Sequence, residues 1–237
     1  MAQEHLDRLT ATDASFLHQE GPDSHMHIGA LITLEGPPPS MDDFLDSLRG
    51  RLHLVPRYRQ KLAFPPAGTG RPLWVDDPDF VLEFHVRHTA LPSPGSEEQL
   101  RNLVSRIFSQ QLDRHKPLWE MWLVEGVDDG SWALITKTHH ALIDGISGID
   151  LATVMFDLTP VPREVEHPDR PWEPHREPAA IDLLVSGVRG AVRTGIDVLG
   201  RAIDSLANPS RTIETAREAA EGLGEVVWAT LNPAPST

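Results

Sequence analysis

The sequence predicts an α/β fold in which a mixed sheet is flanked by helices. Four runs rich in apolar and β-branched residues have the length and pattern of strands: residues 26–35, 80–88, 121–127 and 132–138. Two amphipathic segments alternate with these runs, and each follows a serine that can cap a helix, Ser40 or Ser96. An Asp-Gly turn at residues 128–131 joins the last two strands as a tight hairpin.

The second amphipathic segment is predicted to be a helix by two independent signals. Ser96 and Gln99 have the spacing of a capping box, in which each side chain binds the backbone N–H of the other residue. Apolar residues then recur three and four positions apart and form the expected buried face: Leu100, Leu103, Val104, Ile107 and Phe108. The first segment, from Met41 to Leu54, has a similar periodicity and should end before Pro56.

The composition excludes several classes of function. The chain has 237 residues and is 40% hydrophobic, which is enough apolar content to bury a core. Its formal net charge of -14 disfavours any broad attraction to nucleic acid or to an anionic bilayer. Because the chain has no cysteine, it can form neither a disulfide framework nor a thiolate metal site, and it has no cysteine nucleophile.

The expected location is the cytoplasm. The first seven residues lack the basic start and apolar core of a signal peptide. No stretch approaches the roughly 18 unbroken apolar residues of a membrane span. Contact with lipid, at the inner membrane face or at lipid droplets, would then be peripheral.

The composition changes after residue 158, which indicates three segments. Residues 1–158 are expected to form one lobe, and residues 159–179 are rich in Pro, Glu and Arg, as a linker is. Within residues 180–237, a long apolar stripe from Ile181 to Leu206 predicts amphipathic helices that another surface must cover. That surface is either a second lobe or neighbouring chain, or a membrane.

The motif that bears chemistry is HHALIDG at residues 139–145, on a predicted strand-to-helix corner. Since neighbouring side chains of a strand point to opposite sides, only one of His139 and His140 naturally faces a given cleft. A neutral imidazole there can take a proton from a hydroxyl as a general base. Asp144 could orient this imidazole or bind an arginine behind the loop. Gly145 permits close approach of a ligand, and N–H groups at the following helix start favour a developing negative charge.

Other kinds of chemistry fit this motif poorly. A metal site would need His139, His140 and Asp144 to converge, yet adjacent residues rarely bind one ion, and the HExxH motif is absent. The sequence also lacks a GxSxG elbow and a GxxxxGK[ST] phosphate loop. We therefore expect neither a metal nor a cofactor.

Five segments together resemble the bacterial wax ester synthase/acyl-CoA:diacylglycerol acyltransferase family. They are DASFL at 13–17, MHIG at 26–29, VPR at 55–57, PLWE at 117–120 and the motif at 139–145. The family is similar to chloramphenicol acetyltransferase and to peptide-synthetase condensation domains, in which two α/β lobes enclose a tunnel. The second histidine of HHxxxDG lies at the centre of that tunnel. The resemblance implies that this chain is the N-terminal lobe, because the family's later Asn-Val motif has no counterpart here.

The resemblance implies an O-acyltransferase that moves a fatty acyl group from acyl-CoA to diacylglycerol or to a long-chain alcohol. Acyl-CoA would be a substrate, and the C-terminal lobe, from the same protein or a second chain, would be the partner. The roles implied are general base for His140, pairing with an arginine for Asp144, and an open corner at Gly145. His139 belongs to the same site. Pro117, Leu118 and Trp119 would line the tunnel or brace the motif strand, although core packing explains the apolar side chains equally well.

Two other functions remain open from the sequence. A condensation domain that forms amide bonds shares HHxxxDG. A noncatalytic lobe that binds lipid or a partner would account for the apolar stripe from Ile181 to Leu206. His25 and His27 are further candidates for the same cleft, but unpaired histidines on a strand more often pack or hydrogen-bond structurally.

Overall fold

A computed structural model describes residues 7–66, 70–143, 156–157 and 170–175. These residues belong to the first of two units of the chain, Met1–Leu184. The strands are β1 Asp7–Arg8, β2 His27–Leu34, β3 Gln60–Ala63, β4 Leu73–Asp76, β5 Val86–Ala90, β6 Trp119–Glu125 and β7 Trp132–His139. The α-helices are α1 Ala11–Gln19, α2 Met41–Arg51, α3 Leu82–His85, α4 Glu97–Phe108 and α5 His140–Ile143, and two 3-10 helices occupy Leu52–Leu54 and Pro56–Arg59.

The larger sheet is mixed, as the sequence predicts. Its strand order is β2-β7-β6-β5, with β7 antiparallel to both neighbours and β5 parallel to β6. The register places His27 opposite His139 and Thr138 opposite Trp119. The hairpin from β6 to β7 is confirmed, and Gly130 in its turn has a φ of 78°. The end of β7 therefore lies between the first residues of β2 and β6.

Helix α4 covers one face of this sheet, and both signals that predict it are confirmed. Ser96 Oγ accepts a hydrogen bond from Gln99 N at 3.3 Å, and Gln99 Oε1 accepts one from Ser96 N at 2.7 Å. The apolar stripe of the helix packs on alternate residues of β6 and β7. The buried members of this cluster are Leu91, Leu100, Ile107, Val124, Ala133 and Ile135.

The opposite face carries the larger core. Helices α1 and α2 and the 3-10 helices contribute apolar side chains to it, and Ser40 caps α2 by accepting a hydrogen bond from Asp43 N at 3.1 Å. From the sheet come side chains of β5, β6 and β7 that alternate with those facing α4: Val86, Trp119, Met121, Leu123 and Leu134. Helix α1 lies on this face, and its C-terminal end leads into the candidate site.

The expected strand at 80–88 is wrong in its first half. Residues Leu82–His85 form one helical turn, and the strand begins only at Val86. Leu82 and His85 are buried while Phe84 is 40% exposed, so burial recurs after three residues rather than after two. The run of apolar residues concealed this change of period.

A second sheet was not predicted from the sequence. It contains three antiparallel strands in the order β1-β4-β3. Residues 170–175 pack beside it: Arg59 lies 4.5 Å from the ring centroid of Trp172, and His175 N donates to Asp76 Oδ2 at 3.0 Å. These residues fall within the expected linker 159–179, and the division at residues 158 and 179 stays a prediction.

The expectations for the apolar stripe from Ile181 to Leu206 fall on residues outside the described ranges. Within those ranges, no helix combines the length and the apolar character that crossing a bilayer requires.

Candidate active site

The motif begins where β7 ends and the helical turn α5 begins, so its two histidines lie at a strand-to-helix corner, while the helix expected after Gly145 falls outside the described residues. His139 is the last residue of the strand and His140 the first of the helix. His139 N donates to Leu118 O at 3.0 Å, and His140 N donates to Met26 O at 2.9 Å. The backbone of the corner is thus tied to the segments that enter β6 and β2.

His139 is completely buried, with 0% of its surface exposed. Its Nδ1 accepts a hydrogen bond from Ala141 N at 3.0 Å, so the proton of the neutral ring is on Nε2. Nε2 faces Glu20 Oε2 at 3.6 Å, longer than a hydrogen bond. Burial lowers the pKa of His139 to about 4, which keeps the ring neutral near pH 7.

Glu20 and Arg114 form a partly buried ion pair beside His139. The Glu20 side chain is 1% exposed, and its Oε2 accepts hydrogen bonds from Arg114 Nε at 3.0 Å and Nη2 at 2.7 Å. Glu20 Oε1 accepts a third one from Met26 N at 3.3 Å. Burial acts to raise the pKa of Glu20, but the hydrogen bonds from Arg114 and Met26 lower it overall. The carboxyl group is therefore ionised at neutral pH.

Sequence reasoning missed both members of this pair. They are 94 residues apart, at the end of α1 and in the loop after α4, and no motif links them. Arg114 Nη2 also donates to Leu17 O at 2.9 Å, so the guanidinium holds the last turn of α1 as well as the carboxylate.

His140 has a different environment from His139. It is half-buried, and its ring stacks on Phe16 of α1, with centroids 4.7 Å apart and an interplanar angle of 21°. No other residue of the described ranges hydrogen-bonds to this ring. Its ring thus has a stacking contact and lacks the backbone hydrogen bond that Ala141 N makes to the ring of His139.

His25 and His27 lie beside the corner, where β2 begins. Their rings stack with centroids 5.5 Å apart, and His27 stacks in turn on Phe108 at 5.9 Å. His25 Nε2 is 3.0 Å from Ser109 O. Burial is the main cause of a lowered pKa for His27, so this imidazole is neutral at neutral pH. Both rings thus have structural contacts with the end of α4, and their proposed place in the cleft stays a prediction.

Pro117, Leu118 and Trp119 are all buried, the last two at 0% and 1% exposure. Leu118 O accepts the hydrogen bond from His139 N, so this segment braces the motif strand. The Trp119 ring stacks on Tyr58 at 4.5 Å, and its Nε1 donates to Tyr58 O at 2.9 Å. A role in the tunnel wall stays a prediction.

Asp144 and Gly145 lie outside the described residues, and their roles also stay predictions. In the part of the chain that is described, no group of three or more His, Asp or Glu side chains has the arrangement of a metal site. The chemistry that the described residues offer is proton transfer by the half-buried imidazole of His140, which follows the buried His139 in the chain.

A solved structure of low sequence identity has a similar fold. The starter condensation domain of rhizomide synthetase RzmA matches with a TM-score of 0.51 and 16% identity, over 63% of this chain and 36% of that one. At this identity the match shows the fold alone. The mixed sheet flanked by helices thus has the fold of this domain, and the predicted chloramphenicol acetyltransferase-like fold is confirmed.

Sequence comparison identifies the family within that class. The model of the wax ester synthase/diacylglycerol acyltransferase catalytic domain matches residues 9–237, and the chain belongs to this family. The probable diacylglycerol O-acyltransferase tgs3 of Mycobacterium tuberculosis is 40% identical over 219 residues, which are 90% of this chain and 80% of tgs3. The predicted family is therefore confirmed.

Longer relatives extend well beyond the matched region. The probable diacylglycerol O-acyltransferase tgs1 of the same organism is 46% identical over 154 residues, covering 64% of this chain and 33% of tgs1. The wax ester synthase/diacylglycerol acyltransferase from Marinobacter aquaeolei VT8 matches with 37% identity and a TM-score of 0.51, over 62% of this chain and 37% of that one. The matches thus span about a third of each of these two proteins.

Proposed function

We propose that this chain forms the histidine-bearing lobe of an acyl-CoA-dependent O-acyltransferase. The acceptor is the hydroxyl of diacylglycerol or of a long-chain alcohol, and the product is triacylglycerol or a wax ester. Membership of the wax ester synthase/diacylglycerol acyltransferase family supports this reaction. So do the names of tgs3 and of the Marinobacter protein.

The observation that carries the choice of base is the different hydrogen bonding of the two histidines. The accepting nitrogen of His139 is already occupied by Ala141 N, and the ring is fully buried. His140 is half-buried, and its ring has no hydrogen bond to another described residue. Only His140 therefore has an accepting nitrogen available to a substrate, so it acts as the general base.

In the proposed reaction, His140 removes the acceptor's hydroxyl proton as the oxygen attacks the thioester carbonyl carbon. The tetrahedral intermediate collapses when its C–S bond breaks, and the CoA thiolate takes the proton from His140. Ester and free CoA leave, and the imidazole is neutral again. Such proton transfer contributes about 10² to 10⁴ to a rate.

The proposal includes acyl-CoA and the acceptor as substrates and a C-terminal lobe as the structural partner that completes the tunnel. It includes no metal and no cofactor. The acceptors are lipids, so we also propose peripheral contact with a membrane face or a lipid droplet.

The test measures acceptor-dependent ester formation. The chain is assayed alone and fused to the part of tgs1 that it does not match, with palmitoyl-CoA and either a diacylglycerol or hexadecanol. Thiol release and chromatography of the ester report the two products. His140→Gln keeps a polar side chain that cannot take a proton at neutral pH, and it should lower the rate of the fusion about 10²- to 10⁴-fold.

Intact tgs1 serves as the positive control, and circular dichroism checks that His140→Gln is folded. Equal rates for His140→Gln and the parent would exclude His140 as the base. Amide formation from an amine acceptor without any ester would favour the condensation reaction. Rapid ester formation by the chain alone would contradict the need for a second lobe.

A further inference from the structure

We infer that Glu20 is a positioning residue for His140, acting through His139 and Met26, and that Arg114 holds Glu20 in place. The inference rests on the proposed role of His140 as the base. It is carried by a continuous set of contacts that joins the buried carboxylate to the backbone on both sides of His140.

The first contact runs from Glu20 through Met26. Glu20 Oε1 accepts a hydrogen bond from Met26 N at 3.3 Å, and Met26 O accepts one from His140 N at 2.9 Å. Glu20 therefore fixes the residue that holds the backbone of His140. It also follows α1 directly, and the same helix supplies Phe16, on which the His140 ring stacks.

The second contact runs through His139. Ala141 N occupies Nδ1 of this ring, which leaves the proton on Nε2, 3.6 Å from Glu20 Oε2. A negative charge at this place favours the tautomer with the proton on Nε2. If His139 changed to the other tautomer, Ala141 N would lose its acceptor. The backbone after His140 would then be free to shift.

Stability alone does not account for this pair. Taking a carboxylate out of water is costly, and a buried ion pair contributes little net stability because desolvation offsets the attraction. The Glu20 side chain is 1% exposed, yet three donor groups are aimed at it. The three hydrogen bonds hold the carboxylate in one position. A fixed carboxylate can in turn hold a catalytic imidazole in the orientation that its reaction requires.

The variant Glu20→Gln tests this role because it keeps the shape and removes the charge. Its amide oxygen can take the place of Oε2, which accepts from Arg114 and faces His139 Nε2, but its NH₂ group then faces the donor Met26 N. We expect kcat of the fusion protein to fall about tenfold, because even a small misplacement of a catalytic group is costly, while KM for acyl-CoA changes less than about twofold. Glu97→Gln is the matched control, since Glu97 pairs with Arg101 on the exposed face of α4, and it should leave kcat unchanged.

A second readout needs no substrate. In the ¹⁵N-histidine-labelled chain, nitrogen-proton correlation spectra distinguish a protonated from a bare ring nitrogen, and His139→Phe assigns the signals of His139. We expect His139 to carry its proton on Nε2 at pH 7 and to lose this single tautomer in Glu20→Gln. If the parent fusion makes no ester, the proposed function fails, while the spectra still decide the role of Glu20.

Arg114→Lys provides an alternative if Glu20→Gln does not fold. It retains a cation but loses the two-pronged contact with the carboxylate, and it should disturb the His139 tautomer and lower kcat by a smaller factor. A purely structural role would lower the melting temperature of both variants and leave the tautomer unchanged. That result, or a parent His139 protonated on Nδ1, would overturn the inference.

Discussion

Two buried histidines of the described residues differ in their surroundings and in their hydrogen-bond partners. His85 lies between the rings of Phe80 and Trp119, at centroid distances of 5.3 and 4.7 Å, and its Nδ1 is 2.8 Å from Trp119 O. His139 faces the Glu20 carboxylate, and its Nδ1 accepts from Ala141 N. Each leaves Nε2 without a hydrogen bond to a described residue.

The comparison shows that the backbone partner selects the tautomer. A carbonyl requires the proton of His85 on Nδ1, whereas an N–H group requires the proton of His139 on Nε2. Burial is the main cause of a lowered pKa in both rings. Unlike the His85 ring, the His139 ring faces the Glu20 carboxylate at 3.6 Å and accepts a hydrogen bond from the backbone beside His140. We therefore expect similar changes in the two pockets to have different consequences.

The largest expected effect is the loss of stability in acid. Because the pKa of His139 is about 4 in the fold against 6.5 for a free histidine, the unfolded chain binds this proton first as the pH falls. The contribution is fully present above the unfolded pKa and is lost between the two values. At about 1.4 kcal/mol for each pKa unit, His139 lowers the free energy of unfolding by about 3 kcal/mol at pH 4 relative to pH 7.

Urea unfolding at pH 7 and pH 4 measures this loss, and His139→Phe should remove about 3 kcal/mol of the difference. An identical pH dependence in the parent and in His139→Phe would show that His139 is not held neutral by burial. The loss that remains in the variant includes His85, whose pKa is also lowered.

Next in size is the effect of His139→Phe on catalysis. Phenylalanine fills the pocket but offers no acceptor to Ala141 N and no proton to Glu20. We expect kcat per folded molecule of the fusion to fall about tenfold to 100-fold, a smaller loss than for His140→Gln, because the base is displaced rather than removed. Steady-state kinetics with palmitoyl-CoA measures this, with the folded fraction determined by circular dichroism. A larger loss than in His140→Gln would reverse the assignment of the two histidines.

The smallest effect is expected for His85→Phe. The new ring keeps the stacking between Phe80 and Trp119, while Trp119 O loses the donor that it has in His85. Removal of the unpartnered Nε2 offsets part of this cost, and the free energy of unfolding should fall by about 1 kcal/mol at pH 7. Thermal and urea denaturation measure the change. A fall in kcat beyond about twofold would mean that the two pockets are coupled through the neighbouring carbonyl groups of Leu118 and Trp119.

Local signals made much of the larger sheet predictable. The capping box of Ser96 and Gln99, the apolar period of α4 and the turn at Gly130 each depend on residues close in sequence. Strand β4 has no such signal. All four of its residues are buried, so its sequence lacks the alternation of apolar and polar residues that marks a half-exposed strand. Its partners lie 10 or more residues away, and tertiary contacts decide the pairing.

The candidate site likewise has a part that local sequence predicts and a part that only tertiary contacts create. The corner at His139 and His140 was predicted because a strand pattern stops and a motif follows directly. The choice between the two rings needed the contact from Ala141 N to Nδ1, which the sequence does not reveal. Glu20 and Arg114 were missed because they meet only after α1 and the loop beyond α4 have packed together.

Lys137 links strand β7 to the end of α4 and to the loop that follows this helix. Its side chain is buried, and Nζ donates to Ile107 O in the last turn of α4 at 3.0 Å and to Gln110 O in the loop that follows. The ammonium of a central strand thus neutralises the negative end of a helix dipole. Opening of β7, of the end of α4 or of the following loop breaks the same contacts. In native-state hydrogen exchange, the amides of the three segments should therefore exchange with one common free energy of opening. The amides of the histidine corner should belong to this cooperative unit and should not open separately.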